Sequence, residues 1–146
     1  MNLSKHFKLE EFTRSQTAKR NNIDNSPDEG SLYNLKRLAT ELEKVRELLQ
    51  KPITITSGFR CLDLNRKLGS KDTSSHVVGC AADFVVSGYT VKEVVQIIKD
   101  SYIKPDQAIA EYDEWIHFSI SKHSGEEPRE MYLTIDKSGT REFSIA

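Results

Sequence analysis

Ser74-Ser75-His76-Val77-Val78-Gly79-Cys80-Ala81-Ala82-Asp83 is the stretch on which the reading of this chain turns. It runs into Phe84-Val85, and Ala81 to Val86 reads as a β-strand. An acid in so apolar a strand is costly to bury unless it is paired or bound to a cation. Side chains alternate along a strand, so Ala81 and Asp83 share a face. Alanine and the nearby Gly79 leave room beside the carboxylate. His76 precedes the strand across a loop containing Gly79, and a glycine there lets the backbone turn His76 back toward Asp83.

A catalytic zinc takes three protein ligands, His nitrogens or carboxylate oxygens, and keeps one position for water. The chain has four histidines, His6, His76, His117 and His123. His117 lies in Ile116-His117-Phe118-Ser119-Ile120. There the apolar side chains share one face, and His117 and Ser119 point to the other. His76, Asp83 and His117 therefore form a candidate His-Asp-His set. Taken singly, each is equally compatible with a hydrogen-bonded structural histidine or an arginine-paired aspartate, and spacing alone does not decide. Glu114, three residues before His117 in the Tyr112 to Trp115 turn, is a candidate general base; a merely exposed turn is the alternative. His6 and His123 read as surface residues.

Around this stretch the elements are legible. Ser26-Pro27-Asp28-Glu29 reads as a helix start with Ser26 as cap and Pro27 in the first helical position. Leu32, Leu35, Leu38, Leu42, Val45 and Leu49 then recur at spacings of three and four. That is an amphipathic helix ending near Lys51-Pro52. Ile53 to Thr56 alternates as a half-buried strand, and a short helix is expected over Leu62 to Leu68. Thr90-Val91-Lys92-Glu93 is a capping box opening a helix to about Ser101. Strands follow at Gln107 to Tyr112 and Trp115 to Ser121, then a hairpin of Met131 to Ile135 with Arg141 to Ile145. This order indicates an α+β domain.

The 146 residues, 37% apolar and 29% charged, suit one soluble globular domain with a genuine core. No apolar run approaches the roughly 20 residues of a membrane helix. The opening Met1-Asn2-Leu3-Ser4-Lys5-His6 has no apolar stretch of a secretory signal. Synthesis in a cytoplasm is expected, with any action at a cell wall following release or as part of a virion. The net charge of −1 removes the broad basic footprint of a nucleic-acid binder. Cys61 and Cys80 lack C-x-x-C spacing and are expected as free thiols.

The decisive stretch resembles the Ser-x-His-x-x-Gly-x-Ala-x-Asp signature of the zinc D-alanyl-D-alanine carboxypeptidases. That family groups with the vancomycin-resistance dipeptidases, the phage L-alanyl-D-glutamate endolysins and the Hedgehog signalling fold. Glu114-Trp115-Ile116-His117 resembles its Glu-x-x-His element. Ser57-Gly58-Phe59-Arg60 resembles its Ser-Gly-Tyr-Arg element with Phe59 for the usual tyrosine, and Asn65 falls where an asparagine often follows. The opening, with Phe7, Leu9-Glu10-Glu11-Phe12 and later Asn34-Leu35, is similar to the short phage-borne branch.

The resemblance implies one Hedgehog/DD-peptidase-like domain over residues 1–146, a mainly antiparallel sheet packed against helices. It implies Zn2+ on His76, Asp83 and His117, with Glu114 as general base. Arg60 would bind and polarise the substrate, Ser74 would offer a hydroxyl near it, and Gln107 would line the cleft. The implied function is hydrolysis of a peptide bond in peptidoglycan stem peptides, between D-alanines or between L-alanine and D-glutamate. A monomeric phage endolysin fits that pattern, and a non-catalytic structural or binding virion protein on the same fold is the alternative.

Overall fold

A computed structural model describes residues 1–145. Two short helices, α1 (Leu9–Thr13) and α2 (Gln16–Arg20), lead to the long α3 (Glu29–Leu49). Asp28, rather than the expected Ser26, caps α3: its carboxylate accepts the Ser31 N–H at 2.7 Å. Ser26 lies two residues before the cap position, and its hydroxyl donates to Asp24 at 2.6 Å. Gln50, in the left-handed region at φ 54°, closes the helix before Pro52. Leu35, Leu38, Leu42, Val45 and Leu49 are buried and Leu32 packs partly against them, so the three-and-four spacing is the core face.

The remaining elements are β1 (Thr54–Ser57), α4 (Leu62–Lys67), a 3-10 turn at Ser75–Val78, β2 (Ala81–Val85), α5 (Val91–Lys99), β3 (Gln107–Glu111), β4 (Trp115–Ser119), β5 (Met131–Asp136) and β6 (Gly139–Glu142). The expected capping box forms at α5, where the Thr90 hydroxyl accepts from Glu93 and the Glu93 carboxylate from Thr90. The last strand starts earlier than expected, because Asp136 pairs with Gly139 across a tight turn in which Asp136 accepts the Ser138 N–H.

One six-stranded sheet runs β1-β2-β4-β3-β5-β6. Every pairing is antiparallel except β3 with β5. The architecture is therefore the α+β fold with a mainly antiparallel sheet that the sequence implies. Ala82, Phe84, Ala110, Ile116 and Phe118 join the helices in one core. Each fully buried large side chain there contributes about 2 kcal/mol of hydrophobic stabilisation. Alternation leaves the opposite face to Asp83, His117, Gln107, Ile109, Glu111, Leu133 and Ile135. No helix among the described residues is long and apolar enough to cross a membrane.

Candidate metal centre

β2 and β4 meet so that Asp83 stands directly opposite His117. Both side chains project from the face away from the helices, and His117 Nδ1 lies 3.0 Å from Asp83 Oδ1. His76 reaches the same carboxylate from the 3-10 turn, its Nε2 3.4 Å from Asp83 Oδ1.

Two glycines make that approach possible. Gly79 has φ +77°, a conformation only glycine adopts at little cost, and a Cβ there would sit 2.5 Å from the Ser31 carbonyl oxygen of α3. Gly58 lies against the backbone of Phe12, 2.5 Å from its oxygen to an added Cβ. The Gly58 carbonyl is 2.7 Å from His76 Nδ1. With the Nδ1–H donating there, the lone pair of neutral His76 is on Nε2, facing Asp83 and His117.

The ligand atoms of His76, Asp83 and His117 all lie within 4.8 Å of one another. Tetrahedral zinc with bonds of about 2.1 Å needs ligand atoms about 3.4 Å apart. The two contacts to Asp83, 3.4 and 3.0 Å, are close to that edge. The ring centroids of the two histidines are 5.2 Å apart, a separation an ion bonded to their facing nitrogens bridges. Two imidazoles and one carboxylate are the donor set a catalytic zinc takes, and the residues fit the ion.

The electrostatics agree. Burial pushes the Asp83 carboxyl up, but the hydrogen bond from His117, joined by one from His76 when its Nε2 carries a proton, outweighs it and holds the group well below the ordinary carboxylate range. Burial pushes His76 down, against the pull of Asp83, which favours the neutral, metal-binding form. Arg60 completes the cluster. Its Nη2 is 3.7 Å from Asp83 Oδ2, and its Nε and Nη1 donate to Ser57 Oγ and Asn65 Oδ1 at 3.3 and 3.4 Å.

The structure does not bring Glu114 to this group. Glu114 is exposed in the turn after β3, where Tyr112 and Asp113 both take positive φ. It lines a surface hollow with Lys92 of α5, Thr134 and Asp136, toward the helix side of the sheet. The acid on the metal side is Glu111. It pairs with Trp115 in the β3–β4 register, on the face that carries Ile109 and His117. Trp115 Nε1 donates to Glu111 Oε2 at 3.1 Å. Burial pushes the Glu111 carboxyl above its ordinary value; the His117 charge opposes this and the Asp83 charge adds to it. The sequence signal for Glu111 is the alternation Gln107, Ile109, Glu111, combined with a three-residue turn that sets Glu111 opposite Trp115. Counting back from His117 instead selects the turn residue.

Ser74 and Gln107 both line the cleft beside His117. The Ser74 hydroxyl is occupied locally, accepting the His76 N–H at 3.3 Å as cap of the 3-10 turn. Gln107 pairs with Ser119, one position along the ladder face from His117, and stands apart from the ligand cluster. Cys61 and Cys80 are free thiols. Cys80 lies in the core cluster on the other face of β2, so its sulfur does not face the ligands.

No curated protein matches the chain. The family model described as Peptidase M15 matches residues 5–119, a span that holds Arg60, His76, Asp83, Glu111 and His117. With the match running over most of its length and across the whole ligand group, the chain belongs to the peptidase M15 family.

Proposed function

We propose that this protein is a zinc-dependent peptidase that hydrolyses a peptide bond in peptidoglycan stem peptides, between D-alanines or between L-alanine and D-glutamate. The observation that carries the reading is the convergence of His76, Asp83 and His117 within 4.8 Å, with a second, partly buried carboxylate on the same sheet face. Membership of a peptidase family supports a peptide substrate.

His76 Nε2, Asp83 Oδ1 and His117 Nδ1 would hold the zinc. When bound, the ion would supply Lewis acidity toward the scissile carbonyl and acidify a water. Glu111, rather than Glu114, would take the proton of the attacking water and pass it to the departing amine. Trp115 holds one oxygen of Glu111 by its indole N–H, leaving the other for the proton. Arg60, permanently charged and anchored on Ser57 and Asn65, would donate to the oxyanion or to a substrate carboxylate. We extend the reading to action at a cell wall as a lysis enzyme, on the resemblance of Phe7 and Leu9-Glu10-Glu11-Phe12 to the short phage-borne branch.

Digestion of purified sacculi tests the reading. Zinc-loaded protein is expected to release peptide fragments whose masses identify the bond cut, and a chelator should stop the release. Intact sacculi after prolonged incubation with zinc-loaded protein would sink it.

A further inference from the structure

The metal ligands divide the open face of the sheet in two. On the β1 side, Arg60 lines a hollow of about 540 Å³ together with Arg14 and Lys19. On the β3–β5 side, His117 is part of the wall of a cleft of about 850 Å³. Ile109, Leu133 and Ile135 form an apolar stripe along that second cleft, while Lys71, Lys122 and Arg129 lie around it. The cations are not equivalent. Arg129 is committed to Asp106, its Nη2 2.7 Å from Oδ2 and its Nε at 3.1 and 3.2 Å from the two oxygens. Among the described residues Lys71 and Lys122 have no carboxylate partner, and Glu126 is the lining acid without a cation partner.

Lys122 is nonetheless held in place. Its Nζ donates to the Thr73 carbonyl at 2.8 Å, which ties the end of the β4 segment to the loop that carries Ser74 and His76. An ammonium has three donors, and this bond uses one. The remaining two belong to an exposed ammonium beside the cleft that makes no ion pair among the described residues, although its charge is felt by Asp106 in the same wall.

We propose that the cleft beyond His117 holds the substrate on one side of the scissile bond, and that Lys122, supported by Lys71, receives a carboxylate carried by that segment. The protein then selects acidic peptides long enough to reach from Arg60 across the ligands to Lys122. This inference rests on the peptidase reading for its substrate, but the anchor itself needs no metal.

Binding and turnover on one peptide set separate the two. The probes are synthetic stem tetrapeptides carrying a carboxylate or a carboxamide at each successive position. Binding to metal-free protein is read by calorimetry and by fluorescence of Trp115, the sole tryptophan. At one position the carboxylate peptide should bind about tenfold more tightly than its carboxamide, the worth of one charge-assisted hydrogen bond. Lys122→Gln removes the charge and keeps an amide donor on a side chain one bond shorter; it should erase that preference while binding the carboxamide as the parent does. Lys122→Arg should restore it. With zinc, the same preference should appear in KM and leave kcat within about twofold. Carboxylate-selective binding without hydrolysis would refute the peptidase reading and leave the anchor standing. Equal binding of carboxylate and carboxamide at every position, or a preference that survives in Lys122→Gln, would overturn the anchor whatever the activity.

Discussion

Asp83 and His117 face each other across the β2–β4 ladder with Oδ1 and Nδ1 3.0 Å apart, and the buried His76 closes on the same oxygen from outside the sheet. One carboxylate thus organises both imidazoles. Asp83 is positioned by strand register, and the permanent cation beside it is Arg60, 3.7 Å away.

In that arrangement a bound metal would be a structural partner as well as a chemical one. Chelation is expected to remove hydrolysis and lower the melting temperature; added zinc should restore both. Ligand binding at 100 times its dissociation constant stabilises by about 2.7 kcal/mol. His117→Ala should bind less than one-tenth of the parent's zinc by elemental mass spectrometry. Full zinc content in that variant would refute the ligand set.

Glu111 and Glu114 are three residues apart, and substitution tells them apart. Glu111→Gln should keep stoichiometric zinc and lose about 10²–10⁴ in kcat, the usual worth of a general base. Glu114→Gln should stay within about twofold of the parent, since that side chain is in the exposed turn. The reverse pattern would return the base to Glu114.

The pH dependence of the metal-free protein follows from His76. Burial lowers its folded-state pKa, so below the unfolded value of about 6.5 the unfolded chain binds a proton that the folded chain does not. Stability should therefore fall as pH drops below about 6.5, ceasing to fall on this account once the folded pKa is passed. Asp83 acts lower: its pKa is depressed in the fold, so its contribution is present above about 3.9 and is lost as pH falls toward the folded value. Urea midpoints at a series of pH values check this, and a midpoint flat between pH 7 and 5 would contradict the buried neutral histidine.

Gly79 and Gly69 share a positive φ and differ in what surrounds them. At Gly69 an added Cβ meets nothing within 4 Å, so Gly69→Ala should cost about 1 kcal/mol for the left-handed backbone alone. At Gly79 the Cβ would lie 2.5 Å from the Ser31 oxygen, and Gly79→Ala should cost about 3 kcal/mol or more in denaturant unfolding. Zinc affinity should fall with it, because the turn that aims His76 must shift.

Much of this molecule is written locally. The α3 stripe repeats every three or four residues, and the Thr90 capping box, the β2 and β4 alternations and the Ser74–Asp83 motif each lie within ten. Periodicity and turn chemistry act over that range, so the amino-acid order determined the α+β class and made His76, Asp83 and His117 candidates, a set that the resemblance of the Ser74–Asp83 motif then implied. What only the tertiary structure decided depends on which strands pair and in what register. The β3–β4 pairing puts Glu111 rather than Glu114 on the face of His117, the start of α3 at Glu29 makes Asp28 its cap, and the cleft unites Lys71 and Lys122, 51 positions apart, beside His117. A hairpin that shifts by one residue sends every side chain to the other face, and no local pattern carries that information.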